Sequence, residues 1–208
     1  MPQPPILGFA AQSETDLLEW TGNSIALLLG NNVVPASTFA QPVLFDEQAV
    51  GGQTTEQMNT FFASVPKGRL QLMSHQRVVI FAWEGRNSMA PPQNDSGAVA
   101  LSAMQAYVAA CLALGPSLGM NLAVVVGTVL PSLNVSDVER GVYNVGVRAL
   151  AASDVFVADF ASDPTMGAPN ANLNPALYSD EIHPTAFGQT LLLPYAVAEV
   201  NAALALLG

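Results

Sequence analysis

The strongest constraint on the fold is the run Val78-Val79-Ile80-Phe81-Ala82-Trp83. Six consecutive apolar residues, β-branched at the start, are too few for a stable helix and show no polar face. A strand of this kind must be covered on both sides, which is the situation of a parallel sheet between helical layers. The rest of the chain fits that demand. Apolar runs at 6–10, 43–50, 122–126 and 154–160 read as further strands. Between them lie segments with helical spacing: Leu17, Leu18, Trp20, Ile25, Leu28 and Leu29, closed by Gly30; then a segment through Met58, Phe61 and Phe62; about 98–114; and about 137–151, with Ser136 or Asp137 as N-cap. A last helix runs to Leu207. Strands alternating with helices, joined by long crossovers, predict a three-layer α/β/α sandwich with about five parallel strands. No repeat or low-complexity linker divides the chain, so residues 1–208 are expected to form one domain.

Composition narrows the partners. Six basic residues face sixteen acidic ones, a net charge of -10, which repels phosphate backbones and argues against nucleic acid and anionic membranes. No uninterrupted apolar run reaches the ~20 residues of a bilayer span. No basic n-region or small-residue cleavage site marks a signal peptide, so a cytoplasmic protein, a virus-particle component and a mature secreted form are all compatible with the sequence. Cys111, the single cysteine, lies in an Ala-rich apolar run and reads as a small buried hydrophobe.

In an open parallel sheet, ligands bind at the carboxyl ends of the strands. The loops expected at that rim hold Ser13, Gly51-Gly52 and Gly85-Arg86-Asn87, and the loop before the last helix holds Asp180-Glu181-Ile182-His183-Pro184. Hydroxyl, imidazole, carboxylate and hydrogen-bond donors are what ester hydrolysis requires: a nucleophile, a base, a group that orients the base, and an oxyanion site. Asp180 stands three residues before His183, within reach of its ring. His75 falls at the opposite edge of the sheet and reads as structural.

The order and context of these blocks resemble the SGNH hydrolases, or GDSL esterases and lipases, over nearly the whole chain. Ala11-Gln12-Ser13 stands for the family's Gly-Asp-Ser, Gly52-Gln53-Thr54 for its glycine block, Gly85-Arg86-Asn87-Ser88 for Gly-x-Asn-Asp, and Asp180 to His183 for Asp-x-x-His. The resemblance implies a five-stranded flavodoxin-like sandwich. It makes Ser13 the nucleophile, His183 the base and Asp180 its orienting carboxylate. The Ser13 and Gly52 N–H groups and the Asn87 amide would form the oxyanion hole. It implies neither metal nor cofactor. The expected substrate is an oxygen ester of a small molecule or glycan, with acetyl on a carbohydrate preferred. Arg86 is a candidate substrate contact, with Glu84 as its alternative partner. Gln12 and Ser88 replace two family aspartates that buttress loops, which leaves open a binding or structural module that has lost activity. A flavodoxin-like nucleotide or flavin binder shares the architecture, but no phosphate-binding loop follows the first expected strand.

Overall fold

The computed structural model describes residues 16–33, 39–64 and 77–208. Five strands form one parallel sheet: β1 (Asp16–Gly22), β2 (Val43–Glu47), β3 (Arg77–Trp83), β4 (Asn121–Gly127) and β5 (Val155–Ala158), in the order β2-β1-β3-β4-β5. The helices are α1 (Ser24–Val33), α2 (Thr55–Ser64), the single turn α3 (Arg86–Met89), α4 (Gly97–Leu118), α5 (Asp137–Arg148) and α6 (Ala186–Leu207). Helices α1 and α6 pack on one face through a core that includes Leu18, Trp20, Phe81, Val125, Leu192 and Val200. Helices α2, α4 and α5 cover the other through Leu17, Ile80, Val124, Met104, Tyr107 and Tyr143. This is the expected three-layer sandwich.

The first strand differs from expectation. The sequence pattern predicts a helix from Leu17 onward and a strand at 6–10. Residues 16–22 are instead a strand, and 6–10 lie outside the described residues. The reason is position. β1 sits between β2 and β3 with helices on both faces, and all seven of its residues are buried. A strand in that place shows no alternation, and Asp16 and Glu19 give the segment a false look of two-sidedness. The helix begins only at Ser24. Asn23 caps it: its Oδ1 accepts from the N–H of Ile25 (2.8 Å) and Ala26 (3.4 Å).

Register pairs Trp20 of β1 with Phe81 of β3, and the two rings stack at 3.7 Å between centroids. Such a pair adds about 0.5–1.5 kcal/mol beyond the burial of its area. Gly22, at φ 146°, ends β1 where a side chain has no room: a Cβ there would collide with the Trp83 carbonyl oxygen. The close approach brings the carboxyl ends of β1 and β3 together. In this strand order the β1/β3 boundary is the switch point, where connections diverge to opposite faces and a crevice opens.

Two helices, α4 and α6, are each 22 residues long and apolar enough to cross a membrane. The sequence predicts both as helices, but no uninterrupted apolar run in either reaches membrane-spanning length. Both pack against the sheet and bury one stripe each, Ala100, Met104, Tyr107, Cys111 and Leu114 in α4 and Leu192, Ala196, Val200 and Ala203 in α6. Cys111 is buried, and burial, reinforced by the charge of Glu19, holds its thiol well above the usual range, so it behaves as a hydrophobe.

Candidate active site at the sheet switch point

Asp180 organises the turn that carries His183. Its Oδ1 accepts from the N–H groups of Ile182 (3.1 Å) and His183 (2.7 Å). Its Oδ2 lies 2.7 Å from His183 Nδ1. Burial pushes the Asp180 carboxyl up, but the hydrogen bonds from His183 and Ile182 outweigh it and hold the group below the ordinary aspartate value. Glu181 takes the left-handed conformation, φ 63°, that closes so short a turn. The N–H of Ser179 donates to the His183 carbonyl (2.9 Å), and Thr185 caps α6. The other ring nitrogen, Nε2, lies 2.8 Å from the hydroxyl of Ser24.

Ser24 is therefore the hydroxyl in line with His183 and Asp180. Ser13, expected in that place, lies outside the described residues, as do Gln12 and His75. The helix that Ser13 was to precede is strand β1. A signal for Ser24 is present in the sequence: Gly22-Asn23-Ser24 differs from Gly-Asp-Ser by one amide. Misreading β1 as helix puts that triplet inside an element rather than at its end.

The loop after β2 reaches the same rim. The N–H of Val50 donates to the Gly22 carbonyl (3.0 Å), and a Cβ on Gly51 would lie 3.9 Å from that of Ser24. Gly52 has φ 78°, which suits glycine. The Asn87 Nδ2 donates to the Gln53 carbonyl (2.9 Å), tying the Asn87 amide to the Gly52 turn. An amide nitrogen carries two hydrogens, so one is left for another acceptor. Gly52, Asn87 and the start of α1 thus share one rim with Ser24. Arg86 spends three donors on protein acceptors: Nε on Ser132 Oγ (3.0 Å), Nη1 on Asn87 Oδ1 (3.0 Å) and Nη2 on the Leu133 carbonyl (3.0 Å). It orients the Asn87 amide, since only the oxygen end can face a guanidinium.

Ser88, which stands where the resemblance has an aspartate, and Asn23, the residue before Ser24, are each hydrogen-bonded to a carboxylate. Ser88 Oγ accepts from the Thr55 N–H (3.1 Å) and donates to Glu56 Oε2 (3.2 Å), so a carboxylate from α2 stands behind it. Asn23 Nδ2 donates to Glu84 Oε2. Sequence reasoning reaches Glu84 only as a partner for Arg86. It is fully buried, and burial pushes its carboxyl up to about 7 against the pull of Asn23 and of backbone N–H donors. Among the described residues no cluster of three or more His, Cys, Asp or Glu could hold a metal ion.

A hydroxyl hydrogen-bonded to an imidazole, itself held by a carboxylate, can be deprotonated as it attacks a carbonyl. Comparison with solved structures places the fold. The chain is similar to a GDSL-like lipase from Parabacteroides merdae, with 13% identity, a TM-score of 0.62 and coverage of 91% of this chain and 96% of that one. It is similar to an acetyl-xylooligosaccharide esterase from Geobacillus, with 14% identity, a TM-score of 0.61 and coverage of 90% and 94%. It is also similar to a carbohydrate acetylesterase from Sinorhizobium meliloti, with 14% identity, a TM-score of 0.56 and coverage of 91% and 99%. No protein-family profile matches the sequence, and no curated protein sequence matches it. The chain has the fold of the SGNH hydrolases.

Proposed function

We propose that the protein is a serine esterase of the SGNH type with Ser24 as its nucleophile. The observation that carries this reading is the hydrogen-bonded line from Ser24 through His183 to Asp180, at 2.8 and 2.7 Å, at the switch point of the sheet. His183 Nε2 takes the Ser24 proton as Oγ bonds to the ester carbonyl carbon. Asp180 stabilises the imidazolium that forms. The carbonyl oxygen becomes negative and is met by the N–H of Ser24, the N–H of Gly52 and the amide of Asn87. Collapse expels the alcohol, which leaves with the proton from His183. Water, deprotonated in turn by His183, then cleaves the acyl-enzyme. A short acyl group, acetyl on a carbohydrate, is the preferred substrate; the likeness to two carbohydrate acetylesterases supports it.

The test is a panel of aryl and acetylated-sugar esters run on wild type and Ser24→Ala, with a fluorophosphonate probe alongside. Labelling at Ser24, and a loss of at least about 10³ in kcat in the variant, are expected. A wild-type protein that neither turns over an ester nor takes the probe is a binding module on this fold, and the esterase reading is then wrong.

A further inference from the structure

We infer that Glu84 is a positioning residue of this site, its buried carboxylate joining the segment that carries Ser24 to the loop that carries Asn87. The inference rests on the reading of Ser24 as nucleophile. Glu84 is the first residue after β3, and its backbone is pinned: the Tyr143 hydroxyl donates to its carbonyl at 2.6 Å. The next residue, Gly85, is at φ 121°, and a Cβ there would run into the Tyr143 ring, so the chain cannot relax around it. Everything that meets the carboxylate is a donor. Oε2 accepts from Asn23 Nδ2. Oε1 accepts from the N–H groups of Asn87 (3.0 Å) and Ser88 (3.2 Å).

Asn23 cannot turn its amide round. Its Oδ1 is committed to the N–H groups of Ile25 and Ala26, so Nδ2 must face Glu84. One carboxylate therefore fixes the residue before Ser24 and the backbone of the residue that supplies the oxyanion amide. Where a Gly-Asp-Ser triplet has its acid beside the nucleophile, this chain has the amide there and the acid across the crevice.

The polarity of this pair can be reversed. In Glu84→Gln an amide must meet three donors with one oxygen, so its nitrogen is set against Asn23 Nδ2. In Asn23→Asp two carboxylates face each other. Combining the two substitutions restores one acceptor opposite one donor. The carboxylate then at position 23 keeps the cap and accepts from the amide nitrogen at position 84. The amide oxygen at position 84 accepts from the N–H groups of Asn87 and Ser88. Each single variant should lose about 10–100-fold in kcat with KM within about threefold, as expected when reacting groups shift by less than an ångström. The double variant should recover most of that loss, a non-additivity that two unrelated structural defects would not show. Folding is checked by circular dichroism at the assay temperature. Wild-type kcat in Glu84→Gln, or a double variant no faster than Asn23→Asp, overturns the inference. If Glu84→Gln fails to fold, the comparison of Asn23→Asp with the double variant decides alone. Failure of the esterase reading is seen separately, as absence of turnover and of probe labelling in wild type.

Discussion

Asn87 shows how much one side chain can be asked to do. Its Nδ2 holds the Gln53 carbonyl, its Oδ1 receives Arg86, and its own N–H reaches Glu84. With one amide hydrogen left over, it can meet, in the proposed reaction, a carbonyl oxygen that gains charge only in the transition state. Asn87→Ala should therefore lower kcat by about 10²–10³ with little change in KM, measured on the best ester of the panel. A rise in KM at constant kcat would instead mark it as a ground-state binding residue. Arg86 is committed in the same way. Its links to Ser132 and Leu133 matter because the Leu133 N–H donates to the Glu181 carbonyl (2.9 Å), inside the His183 turn. The loop after β4 thus ties Arg86, beside Asn87, to the turn that carries His183.

At the scale of elements, the ends of strands carry the argument. Gly22 lets β1 end against β3, and Gly22→Ala must push either Trp83 or the start of α1 aside. A loss of more than about 1 kcal/mol is expected, read as a lower thermal midpoint, because both the space and the backbone angle exclude a side chain. Strand β3 is legible from its composition alone, and so are α4 and β4, since each is a long apolar stretch with a clear stop. The Asp180–His183 turn is legible because its parts are adjacent in sequence. β1 is not. A strand buried on both faces and crossed by Asp16 and Glu19 has no period to read, and the error moves the expected nucleophile from the end of β1 to Ser13. The Glu84–Asn23 pair is invisible for another reason: its partners are 61 residues apart, and nothing local in the sequence joins them. Only the pairing of β1 with β3 brings them together.

For the whole molecule, acid is predicted to be gentler than alkali. Burial raises Glu47 from an ordinary value of 4.5 to about 7. The unfolded chain releases this proton near 4.5, while the folded chain keeps it to about 7. The stability it contributes is therefore fully present below the lower value and is lost as pH rises through the upper one. A net charge of -10 adds self-repulsion in the same direction. Asp180 acts oppositely, but only in acid, because its carboxyl is held low and its contribution is lost as pH falls through that depressed value. Thermal unfolding followed at pH 5, 6, 7 and 8 should show the midpoint falling, with a shallower fall in Glu47→Gln. A midpoint that climbs over this range would contradict the assignment.

The crevice between β1 and β3 has a further consequence. Ser24 opens a helix on one face of the sheet, whereas Gly52 and Asn87 lie on chain that leads to helices on the other. In the proposed reading the line Ser24–His183–Asp180 belongs to the leaf of α1 and α6, while the Gly52 and Asn87 oxyanion donors belong to the opposite leaf, and the two meet only across the sheet. Neither leaf holds a working set, and no surviving fragment of the sheet could keep one. Turnover then becomes a gauge of the whole packing: in increasing urea, ester hydrolysis and the far-ultraviolet signal should be lost together. A protein that stayed active after either leaf had melted would need its chemistry to be housed on one side alone.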